Sequence, residues 1–242
     1  DLLLRVFTED SDSLKDLGEP IAILLRDGLK NNMNIDLSFL QKFLQTKRSF
    51  IKNNASFSTI NEICSYGEGT YSQLNYLTQQ VLLSPSISPS SIQLLQYSPT
   101  LQSLLTDIAA HIGQATAIAS MITGVRYYAS TRNQVPLPID VMSKHDLSQE
   151  DVLRLFQGHT ADAKNDQDVR HKINLVVYDT AVVANDHMLT ANKKLGDFKK
   201  EVAQVITLHS DDKSFQNFAR KWRGKIPDAI FTPLMVGIPT SL

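Results

Sequence analysis

Apolar residues recur at intervals of three and four along almost the whole chain, and no alternating run of useful length interrupts them. That period lays an apolar stripe along a helix, whereas a half-buried strand needs a period of two. The nearest strand candidate, residues 175–178, lies inside a helical pattern. An all-α domain follows. Pro20 suits the first position of a helix that breaks at Asn31 and Asn32, since its missing N–H has no partner to lose there. Asp36 is placed to cap a second helix carrying Phe39, Leu40, Phe43, Leu44 and Phe50. Ser58 is placed to cap a third, reaching residue 82, with Gly67 and Gly69 in its interior. Each Gly costs about 1 kcal/mol against Ala, so the pair marks a close helix crossing or a ligand near the backbone.

The second half continues the pattern. Residues 84–98 read as a Ser/Pro-rich connector with a helical turn at 92–95, and 99–123 as a helix rich in Ala, Ile and Leu. Val135 to Pro138 make a Pro-bounded loop, and Ser148-Gln-Glu-Asp opens another helix. Residues 158–168 are polar and read as loop. Three helices follow, to about Leu195, over 198–209, and over 211–223 with Asp211 or Asp212 as cap. A last helix begins at Phe231. Long helices with small residues on one face predict one helical domain over 1–242, with room for a central cavity.

Some function classes drop out on composition. The 24 Lys and Arg are matched by 25 Asp and Glu, giving a net charge of −1 and no basic excess for nucleic acid. A single cysteine, Cys64, excludes an internal disulfide; set among Ile60, Ile63 and Tyr66, it reads as a buried structural thiol. No apolar run approaches the ~18 residues of a membrane span; the stretch 112–125 is broken by Gly113, Gln114, Thr116, Ser120 and Thr123. The chain starts at Asp1 without an initiator Met, so it reads as part of a longer protein, lacking N-terminal helices and the end of its last helix.

Four short motifs stand in order. They are Tyr66-Gly-Glu68-Gly-Thr70-Tyr71-Ser-Gln-Leu-Asn-Tyr76-Leu, His111-Ile-Gly113-Gln-Ala115, Leu137-Pro-Ile-Asp140, and Ser148-Gln-Glu-Asp151. Together they resemble the squalene/phytoene synthases, where a Gly-x-Ala helix runs into a second aspartate-rich signature and a Leu-Pro loop follows. Within that superfamily they are most similar to the mitochondrial NADH dehydrogenase (complex I) assembly factor 6 family. One departure is that the branch usually keeps an Arg after the Ala-rich helix, where Thr123 or Gly124 stands here. The resemblance implies an isoprenoid-synthase-like fold. It also makes Tyr66, Glu68, Thr70, Tyr71, Tyr76, His111, Gly113, Ala115 and Ser120 candidates for the inherited cavity and its motifs.

A prenyl synthase ionises an allylic diphosphate held by Mg²⁺, an ion that takes hard oxygen ligands. Aspartates four apart on a helix would supply two carboxylates on one face. The positions that match the family's second signature are Ser120, Gly124, Tyr127 and Tyr128, and no Asp or Glu occurs between Ile108 and Ile139. The pairs Asp12/Asp16 and Asp162/Asp166 have the spacing but lie in polar stretches, where solvated carboxylates are expected. A first aspartate motif would lie upstream of Asp1. His111 reads as a packing histidine with a structural or partner-contact role.

Two basic clusters remain. Lys193, Lys194, Lys199 and Lys200 flank an expected helix junction, and Arg220, Lys221, Arg223 and Lys225 surround the only tryptophan, Trp222. Cations at helix ends complement the helix dipole. The second cluster also suits contact with an anionic membrane surface, with Trp222 at headgroup level. The resemblance implies a non-catalytic complex I assembly factor, peripheral on the matrix side of the mitochondrial inner membrane. Its expected partners are complex I subunits or assembly intermediates, with an apolar or isoprenoid ligand in the cavity and no nucleic acid. No cofactor is expected; Mg²⁺ would enter only under a prenyl-transferase alternative, and a lipid-binding module is the other alternative.

Overall fold

The computed structural model describes residues 5–7, 19–159, 163–222, 225–238 and 240. Its longer helices are α1 (Pro20–Lys30), α2 (Leu37–Lys52), α3 (Ile60–Gly67), α4 (Gln73–Leu82), α5 (Pro89–Gln96), α6 (Pro99–Tyr127), α7 (Ile139–Lys144), α8 (Gln149–Gln157), α9 (Ala163–Leu208) and α10 (Lys213–Trp222). A short α11 (Asp228–Phe231) runs into a 3₁₀ turn at Thr232–Gly237. Among the described residues the only β pairing is one parallel bridge between Phe57 and Pro138. The all-α expectation holds.

Local chemistry sets the helix ends. Pro20 opens α1, and Asp36 Oδ1 accepts from Ser38 N at 2.8 Å at the start of α2. Ser148 Oγ accepts from Asp151 N at 3.1 Å, and Gly158 closes α8 with a φ of 77° that suits glycine. Four boundaries differ from expectation. Thr59, not Ser58, caps α3, its side chain accepting from Glu62 N; Ser58, one residue before the cap, donates its N–H to Glu62 Oε2 at 2.7 Å. The 84–98 connector holds a full helix, α5, begun by Pro89. Residues 163–208 are one helix, so Asp166 sits in its first turn, and no junction exists near Gly196. A glycine weakens a helix by about 1 kcal/mol and does not end it when buried neighbours such as Ala191, Phe198 and Val202 hold both sides. The final segment is mostly 3₁₀.

Two π-helical segments interrupt the regular spacing. Glu68–Ser72 separates α3 from α4, and Tyr128–Arg132 ends α6. Such turns free carbonyls from the α pattern, and side chains take them up. Thr70 Oγ1 donates to Tyr66 O at 2.6 Å and Gln73 Nε2 to Glu68 O at 2.9 Å. Asn133, in the left-handed region at φ 54°, ends the second.

The chain divides into two compact units. The first comprises Asp1–Gln41, Leu74–Ala109 and Lys193–Met235; the second comprises Lys42–Gln73, Ala110–Asn192 and Val236–Leu242. In the first, Leu94, Leu101, Phe198, Phe215 and Ile230 are fully buried. Asp212, as expected, caps α10 by accepting from Phe215 N at 3.0 Å, and its other oxygen takes the Tyr97 hydroxyl at 2.7 Å. In the second unit one cluster joins Val125 and Ala129 to Val152, Leu155, Val169 and Val176, and another joins Phe57, Ile63 and Tyr66 to Ala117, Ile118 and Met121. By length and mean hydropathy, residues 99–132 could cross a membrane, but half of the qualifying window is buried within the protein, as in a core helix.

Candidate functional site

In the second unit the π segment Glu68–Ser72 and the middle of α6 meet where both chains are small. A Cβ built on Gly113 would overlap the hydroxyl, nitrogen and Cα of Ser72. One on Gly67 would stand 2.8 Å from Gln114 Cα and 2.9 Å from Ala117 Cβ. These glycines therefore allow a backbone approach that no other residue permits, which is the first of the two readings open for Gly67 from sequence. Ser72 Oγ donates across the crossing to Ala110 O at 3.1 Å, and Gln114 Nε2 to Glu68 Oε2 at 3.3 Å. Gly69 instead makes room for the Thr46 side chain. Ala115 is fully buried.

Tyr66 is buried in an aromatic group, with ring centroids 4.7 Å from Phe50 and 5.6 Å from Phe57. Lys47 Nζ donates to its hydroxyl at 2.6 Å and lies within 6 Å of the Phe43, Tyr66 and Tyr71 rings. Burial, then the neighbouring Tyr71 and Tyr128 phenols, push the Tyr66 hydroxyl far above its ordinary range. Tyr71 is half-buried beside the same cluster. Tyr76 is not part of this group: it belongs to the first unit, packed on Phe39 at 5.7 Å.

His111 lies on α6 and is linked to a residue that sequence reading passed over. Its Nδ1 is 2.9 Å from Nδ1 of His187 on α9. The opposite ring nitrogen of His187, Nε2, is 3.6 Å from Cys64 Sγ. Cys64 thus has a histidine neighbour and is only half-buried. Burial raises its thiol above the ordinary value, which keeps it protonated and poorly nucleophilic. Burial first, then the His111 charge, lower the His187 pKa from 6.5. The three groups form a line rather than a convergent set, because His187 spends its two nitrogens in opposite directions. No local pattern marks His187, 76 residues from its partner. Lys47 was missed for the same reason.

The positions matching the second aspartate signature lie at the end of α6. Ser120 and Gly124 are half-buried, and Tyr127 is 53% exposed. Two carbons of the Tyr128 ring would stand 2.9 and 3.0 Å from a Cβ on Gly124. None of the four carries a carboxylate. Among the described residues no three His, Cys, Asp or Glu are grouped to hold a metal. These residues do not fit a Mg²⁺–diphosphate clamp, which needs facing carboxylates. Asp12, Asp16 and Asp162 lie outside the described residues.

The basic clusters differ in setting. Lys193, Lys194, Lys199 and Lys200 stand in the middle of α9, so the helix dipole does not explain them; Lys194 pairs with Asp107 at 2.7 Å and Lys200 with Asp197 at 3.0 Å. Arg220 and Lys221 occupy the last turn of α10, where the dipole does favour them. Both are exposed, as is Lys225, while Trp222 is half-buried with its ring edge-on to Phe215 at 5.9 Å. Arg223 lies outside the described residues.

A helical architecture among the described residues and a glycine-lined helix crossing fit an isoprenoid-synthase-like domain. The squalene/phytoene synthase pattern matches residues 2–210, and the chain belongs to the squalene/phytoene synthase family. It is similar to NADH dehydrogenase (ubiquinone) complex I, assembly factor 6 of Rattus norvegicus, at 31% identity over 170 residues, 70% of this chain and 42% of that protein. The Mus musculus and Homo sapiens proteins of that name are 32% and 31% identical over 171 residues, with the same shares. The chain spans less than half the length of these curated relatives. No solved structure matches it.

Proposed function

We propose that this chain is part of a non-catalytic assembly factor for mitochondrial respiratory complex I, built on a squalene/phytoene synthase fold. The observation that carries the reading is the end of α6, which keeps the family's helix and has no carboxylate between Asp107 and Asp140. Ionising an allylic diphosphate without a metal clamp would leave the departing charge unopposed. The similarity to assembly factor 6 supplies the role. On this reading the protein uses no cofactor and acts by binding a complex I subunit or an assembly intermediate. It works peripherally on the matrix side of the inner membrane. Leu175, Tyr178, Val182 and Leu189 are exposed, and their spacing puts them on one face of α9, the kind of stripe that receives a partner helix. Arg220, Lys221 and Lys225 supply charge for anionic headgroups.

The test is complex I content on native gels of mitochondria from a deletion strain of a host that has the complex. Loss of complex I with the other respiratory complexes intact, restored by the full-length gene, is expected. Restoration should fail with Tyr178→Asp/Leu189→Asp, with the protein still present at normal level. Normal complex I in the deletion strain would overturn the assembly role. Mg²⁺-dependent turnover of farnesyl diphosphate by the full-length protein would overturn its non-catalytic character.

A further inference from the structure

Cys64, His187 and His111 stand in one row inside the second unit, from α3 through α9 to α6. The row ends on a hydrogen bond between two like atoms, Nδ1 of His187 and Nδ1 of His111, 2.9 Å apart. One ring holds the proton and the other aims a lone pair at it. A metal ion in linear two-coordination needs the same arrangement, with the ion in the proton's place. Both rings are half-buried, so an ion can reach them from solvent. The two rings are carried by long helices, α6 of 29 residues and α9 of 46, which fix their positions.

We propose that His111 and His187 bind copper(I) between their Nδ1 atoms in linear coordination, with Cys64 as the outer partner of His187. The donor set selects the ion. Zn²⁺ takes four ligands and Mg²⁺ an octahedron of oxygens, so two converging nitrogens satisfy neither. Copper(I) is satisfied by two ligands, and imidazole suits copper. The charge agrees. Burial and His111 keep His187 from taking up a second proton near neutral pH, which leaves a lone pair for the metal. The Asp186 carboxylate acts on His187 through space and offsets one positive charge; a divalent ion would leave another unopposed in a half-buried place. Binding is a tautomer shift with no change of oxidation state. The donor ring loses its proton from Nδ1 and takes one up at Nε2, and both Nδ1 lone pairs then face the ion. On His187 this aims an N–H at Cys64 Sγ, 3.6 Å from Nε2, the outer contact that fixes the tautomer of a ligating histidine. With metal–nitrogen bonds of about 2 Å, as imidazole makes to zinc, a linear unit spans about 4 Å, and the rings part by about 1 Å from their 2.9 Å separation. Small rotations of both side chains supply that. The inference goes beyond the assembly role: the ion ties α6 to α9, and no chemistry passes through it.

The test titrates the full-length protein with copper(I) under argon, in competition with a chromogenic copper(I) chelator, and examines the loaded protein by X-ray absorption. A single bound ion per chain is expected, with two nitrogen neighbours, no sulfur on the metal and the sharp pre-edge peak of linear copper(I). His111→Gln and His187→Gln should each weaken binding by about a hundredfold or more, since even outer partners of a metal ligand are worth about 10–100-fold. Cys64→Ala should weaken it about tenfold and leave the two-nitrogen spectrum unchanged. His171→Gln, exposed elsewhere on α9, should bind as the unmodified protein does. Sulfur bound to the metal would assign the ion to the Cys64 thiolate and overturn the proposal. Three or more nitrogen neighbours, no stoichiometric binding, or full affinity in His111→Gln would overturn it as well. The spectrum of the unmodified protein decides the question even if a variant does not fold.

Discussion

Nδ1 of His111 and Nδ1 of His187 lie 2.9 Å apart, a separation that requires one ring to donate and the other to accept. Two imidazolium rings would instead point N–H at N–H. Protonation of His187 is opposed by burial and by His111, and favoured only by the adjacent Asp186 carboxylate; Cys64 faces its other nitrogen. The folded pKa is thus below the unfolded 6.5. The unfolded chain takes up the proton first as pH falls. Stability from this pair is complete above about pH 6.5 and declines as pH drops through the folded pKa. Thermal melts from pH 8 to 5 should show this decline, and His187→Gln should have a shallower one. Parallel profiles would rule out His187 as the source.

Gly113 and Gly196 are both helical glycines and should respond to alanine with opposite signs. At 113 the new methyl meets Ser72 backbone atoms, which cannot swing away, so Gly113→Ala should destabilise by about 1–3 kcal/mol. At 196 nothing lies within 4 Å, and Gly196→Ala should stabilise by about 1 kcal/mol through helix propensity alone. Urea titrations of both variants read the sign directly. A neutral Gly113→Ala would mean the crossing can open.

Ser148 holds the first turn of α8 by its hydroxyl, which also donates to Asp151 Oδ2 at 2.6 Å. Ser148→Ala should cost about 1 kcal/mol, and Ser148→Asp should recover most of it, since an Asp side chain accepts the same N–H. The midpoint of chemical unfolding measures both. Equal loss in the two variants would exclude capping as the cause.

The Lys47–Tyr66 hydrogen bond joins a cation to a phenol inside an aromatic cluster. Tyr66→Phe removes the oxygen and leaves the ammonium against rings, which predicts a loss of about 1–2 kcal/mol by denaturant titration. In a spectroscopic pH titration Tyr66 should ionise only well above the ordinary tyrosine range, because burial holds its proton. Early ionisation would mean the cluster is open to water.

Gly67 was readable from sequence as a close approach because glycine is costly inside a helix, but its partners Gln114 and Ala117 were not. Pro20, Asp36 and Ser148 were readable because each acts within a turn of itself, by a fixed φ or a short acceptor. The helical class was readable for the same reason, from periodicity. Three things were not. The π segment at Glu68–Ser72 shifts the apolar register, and no residue type announces it. Gly196 reads as a break by propensity, while the packing that overrides it comes from residues on both sides. His187 and Lys47 meet His111 and Tyr66 only through the fold. Tyr66, Gly113, Ala115 and His111 were placed together by their motifs; Tyr76, in the same motif as Tyr66, lies in the other unit.

Gly124 and Tyr128 are coupled through space. The Tyr128 ring fills the space that a side chain at 124 would need. Any larger residue at 124 needs that ring to turn aside, so position 124 cannot change without moving the ring from where it now packs. Substitutions at the two positions belong in one double-mutant cycle, and their effects on stability should not add.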